Sequence, residues 1–160
     1  MPTGRLGGTL VSIELVRYPD VFLRKVSKDV AFPLDDKINR LITWMTRAMY
    51  QHNGIGLAAI QVGYDVRMFV MDCTRYQGKP QVFINPTIVK NSEETITDSE
   101  GCLSAPGKQG EVKRYIRITL NYKDEKGDEQ QKTFYNLEAR CIQHEMDHLE
   151  GKLCIDYEKG

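Results

Sequence analysis

The sequence predicts a single domain, residues 1–160, in which helices and strands occupy separate stretches of the chain. Three observations predict it. Two segments, near Pro33–Gly54 and Asn136–Glu150, carry apolar residues at helical spacing. Between them lie short apolar runs bounded by turn residues, the last pair forming a β-hairpin. No repeat, low-complexity tract or linker interrupts the 160 residues, a length sufficient for one core.

Residues 1–12 are Gly-rich and read as a flexible arm, and Ile13 to Val16 as a short strand before a turn at Tyr18-Pro19-Asp20. Val21 to Val30 has no clear period. Pro33-Leu34-Asp35 opens the first helix, whose buried face is Ile38, Leu41, Ile42, Met45, Ala48 and Met49, and Asn53-Gly54 closes it. His52, in the last turn, faces the negative helix end. Gly54 to Gly63 is too small and Gly-rich for a central strand and allows something else to approach its backbone closely. Strands are expected at Val66–Asp72, at Gln81–Ile84 (stopped by Asn85-Pro86) and at Thr87–Ile96. Tyr115–Tyr122 and Glu129–Tyr135 form a hairpin around Gly127. Asn136 is a plausible N-cap for the second helix and Gly151 its end.

Twenty-two basic residues balance twenty-two acidic ones, so the chain has no electrostatic footprint for direct nucleic-acid or membrane-surface binding. No apolar run approaches a membrane span, and residues 1–12 lack the charged start and apolar block of a secretory leader. Cys73, Cys102, Cys141 and Cys154 form no tight framework and read as reduced thiols in a cytosol-like compartment.

The chemistry concentrates in Gln143-His144-Glu145-Met146-Asp147-His148. Positions four apart share a helix face, so His144 and His148 present two imidazoles to one metal ion, with Glu145 beside them as a general base. A catalytic site needs a third ligand. His52 lies at a helix end expected on the surface. Gly151 and Cys154 mimic the continuation of a metzincin motif, but too little chain follows for its Met-turn. No later Glu stands where a thermolysin-like scheme needs one. Cys102, in the Gly-containing turn Glu100 to Gly107, remains. A thiolate with two imidazoles and an open fourth position is a known catalytic set. Leu137, Cys141, His144, Glu145 and His148 share one face, so an apolar pocket beside the metal is expected. Glu100, beside the ligand, is expected to be held by Arg114 at the start of the next strand.

Three stretches then stand in order: Gly54, Gly56, Ala58, Ala59 and Gln61; Glu100 to Ser104; and His144, Glu145, Asp147 and His148. Together they resemble the three signature motifs of peptide deformylase, and the likeness runs from about Ile13 to Tyr157. The resemblance implies an α+β fold with antiparallel β-sheets packed around a central metal-binding helix. It implies an enzyme that hydrolyses the N-formyl group from the initiator methionine of new polypeptides and releases formate. Cys102, His144 and His148 would bind one divalent metal, normally Fe(II), with Co(II), Ni(II) or Zn(II) as substitutes. Gln61 and the Leu103 backbone N–H would hold the oxyanion, and Glu145 would move the proton. Ile55 and Gly56, with Leu137 and Cys141, would line the methionine pocket. The expected partners are formyl-methionyl nascent peptides and a transient ribosome contact, for a monomer in a bacterial or phage-infected cytoplasm rather than an organelle. Ala105 departs from the larger β-branched residue commoner after the Ser, a change of packing. Length after the motif helix resembles short organellar and phage-encoded forms without a C-terminal extension. Two other readings are weighed: another metallopeptidase in which Cys102 plays no part, and a non-enzymatic metal module, against which Glu145 argues.

Overall fold

A computed structural model describes residues 13–74 and 77–157. The arm expected at residues 1–12 lies outside the described residues. Helix α1 (Asp36–Gln51) begins where the Asp35 carboxylate accepts the Ile38 N–H at 2.9 Å. It buries Leu41, Met45, Ala48 and Met49, while Ile38 and Ile42 stay half-buried at the edge of that face. Asn53, at φ 58°, turns the chain out of the helix.

A five-stranded antiparallel sheet follows, in the order β1 (Gly56–Ala58), β2 (Met68–Met71), β3 (Gln81–Asn91), β6 (Arg117–Lys123), β7 (Glu129–Tyr135). A separate hairpin pairs β4 (Thr95–Gly101) with β5 (Gln109–Tyr115). Helix α2 (Asn136–Leu149) leaves β7 without a loop and packs against β1, β2 and β5. The large sheet thus has a core on each face. Met68 and Val70 of β2 point toward α1; Phe69 and Met71 point toward α2. Both faces are covered, which is why β2 reads as an unbroken apolar run. On the α2 side Phe69 and Phe83 stack at 4.8 Å and Phe134 meets Phe83 edge-on at 5.8 Å.

Four sequence expectations are corrected. Ile13 to Val16 runs without a strand ladder, because the Val16 N–H donates to the carbonyl of Gln61, which sits in a 3₁₀ turn and offers no strand edge. Asn85-Pro86 does not stop β3. Asn85 adopts φ 52° and its side chain bonds both the N–H and the C=O of Val30 at 2.8 and 2.9 Å. The partner register jumps from Ile84↔Lys123 to Thr87↔Asn121, a bulge that accommodates a residue with no N–H to donate. Strand β5 was not expected, because its inward positions are Gly110, Val112 and Arg114, and a buried arginine hides the alternation. Asn136 does not cap α2: Tyr135 holds the cap position with no side-chain bond, and Asn136 is at φ 54°.

Gly151 ends α2 at φ 76°, and a Cβ there would stand 2.4 Å from the Arg24 carbonyl oxygen. Gly151→Ala is therefore expected to lower the denaturant midpoint by roughly 1–3 kcal/mol of stability with an unchanged slope. A wild-type midpoint would show that the segment around Arg24 yields without cost.

Candidate metal centre

The helical repeat of α2 sets His144 and His148 one turn apart, with ring centroids 5.0 Å from each other. Cys102 follows β4 directly, in a turn where the Ala105 N–H donates back to the Cys102 carbonyl at 3.0 Å. Its Sγ stands 3.4 Å from His148 Nε2. One donor atom each from Cys102, His144 and His148 lies within 4.8 Å of the others, and this is the metal-competent group among the described residues. Metal–donor distances of about 2.0–2.3 Å are compatible with such a triangle. A soft thiolate with two imidazoles suits a divalent, thiophilic metal.

Glu100 holds this arrangement. Its carboxylate accepts from Arg114 Nε and Nη2, both at 2.9 Å, from Arg140 Nη1 at 2.5 Å, and from His144 Nδ1 at 2.9 Å. Burial alone would raise its pKa, but the hydrogen bonds from Arg114 and His144 hold it down to about 2. Glu100 is thus an ionised acceptor, so His144 must donate from Nδ1, and Nε2 is left to face the thiol. Burial works against a charged His144, yet its bonds to Cys102 and Glu100 raise its pKa to about 10. Burial and the charge on His144 push His148 well below its ordinary value. One ring holds a proton that a divalent cation must displace; the other is already neutral.

Glu145, next to His144, is buried at 3% exposure, and its Oε1 has no hydrogen-bond partner among the described residues. Burial raises its pKa to about 7. Gln61 comes from the 3₁₀ turn Ala59–Val62. Its Oε1 accepts the Ala58 N–H at 3.0 Å, which turns its amide nitrogen toward Ser104 Oγ at 3.1 Å and Cys102 Sγ at 3.7 Å. Gly56 is where close approach requires glycine: a Cβ there would lie 2.7 Å from both Cys141 Sγ and Glu145 Oε2.

These groups open into a cleft of about 420 Å³, whose lining includes Ile55, Gly56, Leu103, Leu137 and Cys141 with Glu145 and Cys102. Gln61, Glu100, Cys102, Leu103, His144 and Glu145 line this cleft with the expected pocket residues, while His148 is fully buried and within reach of Cys102. Arg114 is buried at 5% exposure and also donates to Asp147 at 2.9 Å. Cys154 lies under the hairpin with its thiol on the Glu100 carbonyl, outside the donor triangle. His52 is likewise remote: its Nε2 meets the Ile13 carbonyl at 2.6 Å rather than the end of its own helix. Sequence reasoning missed Arg140, and it placed Ser104 in a signature stretch without a role. Arg140 carried a legible signal, since it precedes His144 by one turn on the same face. The bond of Ser104 to Gln61 was not legible, because only the fold brings the two together.

The profile of the polypeptide deformylase family matches residues 12–159. A peptide deformylase of Rhizobium meliloti is 47% identical over 145 residues, covering 89% of this chain and 83% of the relative. The solved peptide deformylase of Thermotoga maritima superposes with a TM-score of 0.85 at 37% identity, over 92% of this chain and 97% of that one. A Synechococcus elongatus peptide deformylase, solved in complex with actinonin, gives 0.87 at 40% identity over 92% of this chain and 80% of its own.

Elemental analysis of cysteine variants checks the centre. Cys102→Ser is expected to lose most of its metal, because a hydroxyl does not replace a soft thiolate, while Cys73→Ser and Cys154→Ser retain it. Metal lost from Cys154→Ser and kept in Cys102→Ser would move the centre elsewhere.

Proposed function

The chain belongs to the polypeptide deformylase family, and from that premise we propose how its own side chains remove the N-formyl group from nascent polypeptides. The family fixes the reaction class: a metal-dependent hydrolysis of the formyl amide that releases formate. The observation that carries the assignment of roles is Glu145, a buried carboxylate with an unpartnered oxygen beside the Cys102, His144 and His148 donors, at the floor of an apolar cleft.

Cys102, His144 and His148 hold the metal, which when bound acts as a Lewis acid and acidifies water toward neutrality. Glu145 takes the proton of the attacking water as the new C–O bond forms at the formyl carbon. Charge develops on the formyl oxygen. The Gln61 amide, oriented by its bonds to Ala58 and Ser104, and the Leu103 backbone N–H stabilise it. Loss of one such donor typically costs about 10²–10³ in rate. Glu145 then returns the proton to the amine as the C–N bond breaks. Ile55, Gly56, Leu137 and Cys141 line the space beside these groups and hold the methionine side chain. Glu100 and Arg114 act through His144 by fixing its ring and tautomer.

The thiolate would lower the net charge at the metal and suit thiophilic divalent ions; the family likeness points to Fe(II) in the cell, and Co(II), Ni(II) and Zn(II) suit the same donors. We place the activity in a cytoplasmic monomer that meets nascent chains transiently at the ribosome. No helix of the described residues is long and apolar enough to cross a membrane.

Formate release from formyl-Met-peptides is the direct test. Glu145→Gln is expected to keep fold and metal but lose roughly 10²–10⁴ in kcat, since an amide cannot accept the proton. Wild-type rates in that variant would remove Glu145 from the chemistry. Leu137→Ala should lower kcat/KM for formyl-Met-peptides about tenfold more than for formyl-Ala-peptides, with metal content unchanged. Equal losses on both substrates would put the methionine pocket elsewhere.

A further inference from the structure

After α2 the chain turns at Gly151 and runs back against β5, ending in the 3₁₀ turn Cys154–Tyr157. That turn is held on three sides. Arg24 donates to both Asp156 oxygens at 2.7 and 3.0 Å, and the Leu153 N–H donates to Asp156 at 2.9 Å. The Cys154 carbonyl lies so close to β5 that a Cβ at Gly110 would collide with it. The fit fixes where the side chain of Tyr157 falls.

It falls on the ion network behind His144. The Tyr157 hydroxyl donates to Asp147 Oδ2 at 2.9 Å, the same oxygen that accepts Arg114 Nη1 at 2.9 Å. The centroid of its ring is 5.3 Å from the Arg114 guanidinium carbon, within reach of cation–π attraction. The side chains of Arg114 and Glu100 are buried, whereas Tyr157 is half-buried. The ring is thus a cover between the guanidinium face and water.

The contact reaches the metal donors through the geometry of the guanidinium, which presents its N–H groups in one rigid plane. With Nη1 held by Asp147, both Nε and Nη2 face Glu100, each at 2.9 Å. Glu100 Oε1, which accepts Nη2, also accepts His144 Nδ1 at 2.9 Å. The Tyr157 hydroxyl shares the Asp147 oxygen that pins the fork, and the ring keeps water off it. An ion pair kept from water is screened less, so Glu100 stays aimed at His144.

We propose that Tyr157 is a positioning residue for the metal centre: acting through Asp147, Arg114 and Glu100, it sets how firmly His144 holds a metal ion. The proposal rests on the donor set Cys102, His144 and His148 assigned above.

The test uses the full chain loaded with Co(II). Excess chelator is added, and metal release is followed by loss of the visible thiolate–cobalt absorption. Wild type is compared with Tyr157→Phe, Tyr157→Ala and Asp35→Ala. Asp35 caps α1 on the other face of the large sheet, so its variant reports lost stability alone. Partners of a metal-bound histidine typically change metal affinity by about 10–100-fold, and Tyr157 stands further out. Release is therefore expected to accelerate about tenfold in Tyr157→Ala and about threefold in Tyr157→Phe, which keeps the ring and loses the hydroxyl. Asp35→Ala should release cobalt at the wild-type rate. With metal saturating, kcat for formyl-Met-Ala should fall in the Tyr157 variants with KM unchanged, since Tyr157 is not part of the cleft lining. Wild-type release in either Tyr157 variant overturns the proposal, and so does equal acceleration in Asp35→Ala. Should Tyr157→Ala not fold, Tyr157→Phe decides alone. The expected order of release with no formate from the wild type would sink the deformylase reading and leave the positioning role standing.

Discussion

One buried carboxylate ties this protein together. Glu100 is 8% exposed and accepts from two arginines and a histidine that come from β5 and α2. A buried ion in this position costs several kcal/mol of desolvation unless its oxygens are filled, and here both oxygens carry two donors each. Removing one partner of such a set leaves an uncompensated charge. The β4–β5 hairpin is thereby locked onto the helix that carries His144 and His148. The same bonds set the His144 tautomer, so hairpin docking and ligand orientation are one event.

Close approach of β1 is the second constraint. Three residues of edge strand lie against α2 so tightly that a single methyl at Gly56 would collide with both Cys141 and Glu145. This contact desolvates Glu145 and narrows the cleft around it. The 3₁₀ turn that follows delivers Gln61 to the opposite side of the donor triangle. The run of glycines and alanines is thus explained by what surrounds it rather than by its own secondary structure.

The two faces of the large sheet divide the work. The α1 face is a plain apolar core, with Met45 and Met49 against Met68 and Val70. The α2 face builds an equally apolar layer around Phe69, Phe83 and Ile142, then gives way along the same helix to His144, Glu145 and His148. On that helix His144, bonded to Cys102 and Glu100, is raised, while His148, buried beside the charge on His144, is lowered, so two rings one turn apart have unlike proton affinities.

The helices, the β6–β7 hairpin and the separation of helices from strands were legible in the chain, because periodicity, Asp35 and Gly151 are local signals. The pairing of His144 and His148 was legible too: two histidines at i, i+4 reveal a shared face without any tertiary information. Other features were not. The passage of β3 through Asn85-Pro86 depends on Val30, 55 residues away, which satisfies the Asn85 side chain. Strand β5 is invisible because its inward arginine is tolerable only with Glu100 and Asp147 in place. Arg140 as a third partner of Glu100, Ser104 as the anchor of Gln61, and Tyr157 over Arg114 exist only where separate elements meet. Sequence alone determined the chemistry that one helix can present, since that follows from local geometry. The tertiary structure decided which charges are buried, what neutralises them and how far the cleft extends, since burial and desolvation belong to the assembled surfaces and not to any one segment.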